Sequence, residues 1–406
     1  MTMKVTPKKP VVVSEDLTAA LSRFNQAFNQ ISDILLDRAN EVEALKLCMV
    51  TNTNLMLDGL HGTAKSMLAD NAFHRVDGAS VYTKQFMKGT QTDEIFGPML
   101  AEDYKRGIWR HNIAGMLPTA HFADLDEVYR ASDMALPSMM SILNEHTFMN
   151  GTEEVKCPLI TAIGTTNYVT ESKELDAFHD RWLIRAKIKP LGSASLRVKM
   201  LLNSLSQRST SVIKRTSLDD IALLQRAVWR TEVESETLEL YEQIVSKYQK
   251  TIGSSLYISD RRLVQSFMLC RAAAVLNSPD GSVPEVEPAH LNAAMYGITT
   301  LNDEVQGSAF TDAVTDVVGT FEAYKKESEE MKVISSFVES LEEELSENPK
   351  RAVLQEIFNK ARKALSGIQN MPSADQPKSV KNQEALRNSQ ERLSQLVNVA
   401  SNLLSK

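Results

Sequence analysis

The chain has 406 residues, 43% of them hydrophobic and 24% charged, with a formal net charge of −7. That is the composition of a soluble globular protein of roughly two to three domains, and the acidic balance disfavours nucleic acid as its main partner. Cys48, Cys157 and Cys270 have no C-x-x-C spacing, so they argue against structural zinc and read as buried thiols in a reducing compartment. No apolar run approaches the roughly 18 residues of a membrane span. Residues 1–13 carry Lys4, Lys8 and Lys9 without the long apolar stretch of a secretory leader. A cytoplasmic location is expected.

Residues 1–14 read as a flexible arm. From Asp16, apolar residues recur at helical steps (Leu17, Leu21, Phe24, Phe28, Ile31, Leu35), and a second helix covers Val42 to Leu47. The run Leu55-Met56-Leu57 then enters Asp58-Gly59-Leu60-His61-Gly62-Thr63-Ala64-Lys65-Ser66, followed by the helical pattern Met67, Leu68, Ala72. Strand, glycine loop, lysine, hydroxyl and helix are the order of a phosphate cradle. Glycines let backbone N–H groups close on phosphate oxygens, and the helix N-terminus adds positive potential. Gly59, Gly62, Thr63, Ala64, Lys65, Ser66 and Met67 are the expected nucleotide contacts, with Lys65 on the β/γ-phosphates and Ser66 on Mg²⁺. Ala64 stands where the usual pattern has glycine.

Residues 80–86 alternate as a strand, and residues 107–112 read as a short hairpin insert. Residues 120–127 end in adjacent carboxylates, which suits metal-assisted hydrolysis. Asp126 is assigned to the Mg²⁺ shell with Ser66, and Glu127 to the attacking water. His121 and Asp124 interrupt the strand, so an acidic loop after an edge strand is the structural alternative. A helix over residues 138–143 precedes the Asn150-Gly151 hairpin turn. Residues 157–167 form the clearest buried strand, with Asn167 where ligands sit in open parallel sheets. Asn167 either binds phosphate or water, or caps the next turn. Arg181 and Arg185 bracket an apolar segment. A neighbouring subunit's arginine would complete the site; an ion pair with Asp176 or Asp180 is the alternative.

Residues 194–303 read as helical throughout, with a capping box at Ser217 to Asp220 and an amphipathic helix through Leu238, Tyr241, Ile244 and Tyr248. Arg261 and Arg262 open a further helix, where positive charge is disfavoured and a bound anion would account for it. The last helix of this part covers residues 288–298. Residues 304–406 form an accessory region: helices around Phe310 to Phe321, Ile334 to Leu345 and Val353 to Leu365, a linker at 371–377, and a final helix. There Leu386, Leu393 and Ala400 repeat by sevens, with Leu396 and Leu403 in a second row. A coiled coil and a helix docked on its own bundle fit that repeat equally.

Together these sites resemble the MoxR group of AAA+ ATPases, closest to its RavA-like members, over residues 20–300. Gly59 to Ser66 resembles the Walker A loop, in which alanine before lysine is common. Glu94-Ile-Phe-Gly97-Pro98 and Gly115-Met-Leu-Pro118 resemble segments around the helix-2 insert. Leu125-Asp126-Glu127 resembles Walker B. Leu143-Asn144-Glu145 with Phe148 and Asn150-Gly151 resembles the approach to the pre-sensor-1 hairpin. Asn167 falls on sensor 1, Asp180-Arg181 on the arginine finger, and Arg261 on sensor 2 with Arg262 as the alternate. The departures, Leu60-His61 in the loop and His121 and Asp124 in the Walker B strand, fall outside the residues given a catalytic role.

The resemblance implies an α/β P-loop AAA+ core with a parallel sheet (15–193), an all-α lid (194–303) and then the helical accessory region. It also implies an ATP- and Mg²⁺-dependent homo-oligomer, a hexameric ring in which Arg181 acts in trans and Arg261 in cis. The ring would remodel a protein partner, with a von Willebrand factor A domain protein as co-worker. A nucleotide-gated scaffold with little turnover and a nucleic-acid motor are the competing readings.

Overall fold

The computed structural model describes residues 15–131, 135–167, 176–205, 212–253, 257–278, 285–346, 349–369 and 380–405. The expected arm at 1–14 and the linker at 371–377 lie outside them. The chain divides into two compact units, Met1–Val314 and Thr315–Lys406.

The first unit is built on a parallel six-stranded sheet. In chain order its strands are β1 (Leu55–Gly59), β2 (Val81–Gln85), β3 (Phe122–Asp126), β4 (Thr161–Thr166), β5 (Ile184–Ile188) and β6 (Thr300–Leu301). Across the sheet the order is β6-β5-β1-β4-β3-β2. Leu55 pairs with Ile163 on one side and Ile184 on the other. Parallel strands need helical crossovers, and those cover both faces.

Alternation along the strands separates two cores. Leu55, Leu57, Phe122 and Ile163 face one side with Phe24 and Phe28 of α1 (Glu15–Ile34), Leu45 and Leu47 of α2 (Ala39–Thr51), and Phe73 of α3 (Lys65–Phe73). Phe73 stacks on Phe122 with ring centroids 4.8 Å apart. Met56, Ala123, Leu125 and Ala162 face the other side with Trp182, Phe178 and, from α4 (Ala135–Glu145), Met139 and Ile142.

The interrupted strand is not at an edge. β3 pairs with β2 and β4, and Asp124 is buried within it. The expected strand 157–167 is shorter, Thr161–Thr166: Cys157 N donates instead to His146 O at 2.7 Å, extending the hairpin in which Glu153–Lys156 runs antiparallel to Thr147–Asn150. Residues 107–112 are not a hairpin. Their backbone pairs instead with residues 98–100, through Leu100 N to Arg110 O (2.8 Å) and Asn112 N to Pro98 O (2.8 Å).

Beyond β5 the chain is not helical throughout, since β6 returns to the sheet beside β5. The longer helices between them are α5 (Ala194–Leu205), α6 (Leu218–Arg230), α7 (Ser235–Ile252) and α8 (Asp260–Leu276). Ser217 caps α6 with the reciprocal bonds of a capping box to Asp220. Leu224 and Val228 of α6 and Leu269 of α8 join the cluster that holds Phe24 and Leu45, so these helices pack on the sheet's first face. The last expected helix is split into a 3₁₀ segment, Pro288–Ala293, and a short α-helix, Ala294–Ile298.

The two helices expected within residues 310–345 are one, α9 (Glu304–Ser346). The second unit takes its core from α9, α10 (Arg351–Gln369) and α11 (Val380–Leu404). Leu386, Leu393 and Leu396 are buried against Val338, Leu341, Ile357 and Ala361, so the sevenfold repeat of α11 serves its own bundle. No helix among the described residues is long and apolar enough to cross a membrane.

One interior position fixes how closely this sheet is packed. A Cβ on Gly164 of β4 would lie 2.7 Å from the Trp182 ring and 2.9 Å from the Met56 methyl. Gly164→Ala is expected to lower unfolding free energy by about 1–3 kcal/mol in urea titrations. Gly192→Ala, with nothing within 4 Å, is the control and should leave the midpoint in place.

Candidate nucleotide site

The loop after β1 is shaped by its own backbone. At Gly59 a Cβ would lie 2.4 Å from Ile188 O, so β1 and β5 approach too closely for a side chain. Gly62 has φ +75 and open space around it. Ala64, immediately before α3, has φ +68, a left-handed conformation that costs a non-glycine residue about 1–2 kcal/mol. The Thr63 hydroxyl donates to Leu60 O at 2.8 Å. Arg38, buried, donates to Lys189 O at 2.8 Å and Thr63 O at 3.4 Å, tying the loop to the end of β5. Ser66 and Met67 are exposed on the first turn of α3, where the helix leaves N–H groups for an anion.

Lys65 folds back into this loop. Its Nζ donates to Gly59 O, to Leu60 O at 3.2 Å and to Asn167 Oδ1 at 2.7 Å. The Asn167 amide donates in turn to Glu127 Oε1. Glu127 Oε2 lies 3.3 Å from Arg130 Nε. The Thr165 hydroxyl joins the two adjacent acids: it donates to Asp126 Oδ1 and accepts from Glu127 N at 3.3 Å. That second bond helps hold Glu127 at φ +53, a backbone geometry rare outside glycine.

Lys65, Asp126, Glu127 and Asn167 therefore meet at the carboxyl ends of β1, β3 and β4. From β1 the chain crosses to the β2 edge, whereas from β4 it crosses to β5 on the other side of β1. Ligands of open parallel sheets lie in the crevice at such a reversal. Burial pulls the Lys65 ammonium below the usual lysine range, against the opposing pull of Glu127, Asp126 and Asp58. The open glycine loop, the lysine and the exposed serine beside a carboxylate fit a nucleoside triphosphate with its Mg²⁺, which takes few protein ligands.

The two arginines are elsewhere. Arg181 O accepts from Asn54 Nδ2 at 3.2 Å, and Asn54 precedes β1. Arg181 thus sits at the amino ends of the strands, about 13 Å of β1 away from the loop. Arg261 lies within electrostatic reach of Arg181, Asp180 and Glu145. The structure does not bring Arg261 to the cis position that the resemblance implies; it leaves it near Arg181, whose like charge adds to burial in lowering the Arg261 pKa. Arg262 is buried and turns toward the backbone before β5. Its Nη2 donates to Leu183 O at 2.7 Å and its N to Ser259 Oγ at 3.1 Å, and burial, with Arg185 beside it, lowers its pKa to about 9.

Arg38, Thr165, Arg130 and His61 were not legible as site residues. Asn167 Nδ2 lies 2.9 Å from His61 Nδ1, so the loop departure at His61 does touch a proposed catalytic residue. Thr165 carried one signal: it sits two residues before Asn167 in an apolar strand and so shares its face.

A parallel sheet of this order, with a lysine-bearing glycine loop after β1 and paired acids ending β3, defines a P-loop ATPase of the AAA+ class. A family model for the MoxR domain of the MoxR-vWA-beta-propeller ternary systems matches residues 22–226. The chain belongs to the MoxR family of AAA+ ATPases. It is 28% identical over 262 residues to the uncharacterized protein MJ0079 of Methanocaldococcus jannaschii, covering 64% of this chain and 67% of that one. It is also 24% identical over 241 residues to the structural protein ORF618 of Acidianus two-tailed virus, covering 58% of this chain and 38% of that one. In fold it is similar to a crystal structure of an ATPase candidate from Cytophaga hutchinsonii, with a TM-score of 0.58 and 16% identity over 75% of this chain and 96% of that one.

Two measurements probe the site's supports. Thr165→Val should weaken Mg²⁺-dependent nucleotide binding about 10–100-fold, with Thr165→Ser restoring it; calorimetric titration reads both. Burial, with Asp126 and Asp70 nearby, pushes the Asp124 carboxyl up to about 7. An unfolded chain sheds that proton near pH 4. Its contribution to stability is therefore complete below about pH 4 and lost as pH rises to about 7. Asp124→Asn, melted without divalent cation, should exceed wild type at pH 8 and match it at pH 4.

Proposed function

We propose that this chain is an ATP-hydrolysing ring ATPase, a hexamer, that remodels a protein partner in the cytoplasm. The observation that carries the reading is the contact of Asn167 with both Lys65 and Glu127, joined by Thr165 to Asp126, which gathers a phosphate-binding cation, a general base and a metal-side carboxylate in one crevice. ATP supplies the phosphoanhydride bond, and Mg²⁺ the positive charge that its phosphates need. Lys65 and the N–H groups of the loop hold phosphate oxygens. Ser66 and Asp126 hold the Mg²⁺ shell. Glu127 orients the attacking water and takes its proton, and Asn167 positions that water.

Arg181 and Arg261 lie together away from their own site, which supports their supply to the site of a neighbouring copy. The cis role for Arg261 is set aside on that ground. Residues 15–193 serve as the nucleotide domain, 194–303 as the lid and 304–406 as the accessory region. The matched family model is named for systems that pair a MoxR domain with von Willebrand factor A and β-propeller proteins, which supports a von Willebrand factor A domain partner.

Glu127→Gln should bind ATP normally while its turnover falls by about 10² or more. Arg181→Ala should likewise bind and not hydrolyse. Wild-type turnover in Glu127→Gln would remove Glu127 as the base. A protein that co-purifies with Glu127→Gln in ATP, and not with Lys65→Ala, would identify the client or adaptor.

A further inference from the structure

His61 has no part in the chemistry given so far, yet its ring lies against the residue at the centre of the site. The Asn167 amide nitrogen is 2.9 Å from His61 Nδ1 and 3.1 Å from His61 Nε2. Among the described residues, Asn167 is the only hydrogen-bond partner of that ring. His61 is exposed and Glu127 buried, so the imidazole stands on the solvent side of the crevice and the Asn167 amide reaches from it to the base.

The neighbours of Asn167 decide which way its amide faces. Lysine is a donor only, and an ionised carboxylate an acceptor only. The oxygen therefore meets Lys65 and the nitrogen Glu127, and the nitrogen's second hydrogen is left for His61. A neutral imidazole has one acceptor nitrogen in either tautomer, and both ring nitrogens are within reach. The backbone on each side of the histidine is pinned. Leu60 O accepts from the Thr63 hydroxyl at 2.8 Å and from Lys65 at 3.2 Å, and Thr63 O accepts from Arg38 at 3.4 Å. Little backbone freedom remains to be lost when the ring settles on Asn167.

The Lys65 ammonium has three hydrogens, and Gly59 O, Leu60 O and Asn167 Oδ1 engage all three. Donation to a phosphate oxygen must release one of these partners. Once Asn167 is released, its oxygen can accept from the attacking water, and only the nitrogen end still orients the amide. One anchored hydrogen leaves the amide free to swing about that bond; two fix its plane. We propose that His61 is a positioning residue: it holds the second N–H of Asn167 while the first stays on Glu127, and so keeps the amide oxygen aimed at the attacking water. The inference rests on the ATPase reading and on Asn167 as the residue that positions that water. Small errors in such aim cost rate rather than affinity.

The test is made in the full chain. His61→Ala should lower kcat about 5–10-fold, the worth of one hydrogen bond. KM for ATP, affinity for a non-hydrolysable ATP analogue and melting temperature should stay near wild type. His61→Gln, which returns an acceptor oxygen, should recover most of the lost rate. In an Asn167→Ala chain, adding His61→Ala should leave the residual single-turnover rate unchanged, because the ring then has nothing to hold. A histidine that bound phosphate instead would weaken analogue binding and keep its effect without Asn167; either result overturns the proposal. Wild-type kcat in His61→Ala, with Glu127→Gln inactive, overturns it and leaves the ATPase reading standing. Wild-type turnover in Glu127→Gln overturns both.

Discussion

The site depends on the two-sided contact of the Asn167 amide. Its oxygen accepts from Lys65 and its nitrogen donates to Glu127. The residues come from the ends of three strands whose spacing the sheet order sets. β4 lies between β1 and β3, so the residue that ends it must stand between the loop after β1 and the acids ending β3. A charged lysine partly withdrawn from water needs such partners, because burial alone would favour its neutral form. The same amide keeps Glu127 from pairing directly with Lys65.

Much of the rest supports this placement. Glycine at 59 lets β1 lie against β5, and glycine at 164 admits the Trp182 ring beneath the sheet. Thr165 holds both acids from the same strand that delivers Asn167. Arg38 fastens the loop to the backbone after β5. Local strain at Ala64 and Glu127, both left-handed, falls on the two segments that would contact phosphate and water. Strain of this kind persists where the surrounding fold over-determines it.

The α/β core was legible because its signals are local. The run Leu55 to Leu57, the glycines and Lys65 occur in the order that the chemistry requires, and the adjacent acids 126 and 127 need no partner to be recognised. The position of β3 was less legible. Asp124 interrupts its apolar pattern, and only pairing on both sides shows it to be an interior strand. β6 was invisible because two residues, Thr300 and Leu301, carry no periodicity. Arg262 misled for a related reason. Its partner is a backbone carbonyl at Leu183, 79 residues earlier in the chain, and no local pattern encodes that. The distance of Arg261 from the phosphate loop is likewise a property of the packing of α8.

The lysine half and the arginine half lie on opposite ends of one sheet, and the proposed ring completes each nucleotide site between copies. The most direct measurement is ATP turnover in a mixture of two inactive chains, Lys65→Ala and Arg181→Ala. In a mixed ring, some interfaces join an intact Lys65 half to an intact Arg181 half. Each variant alone should be inactive, and the mixture should regain turnover. A mixture as inactive as its parts, in rings shown to have exchanged subunits, would contradict it.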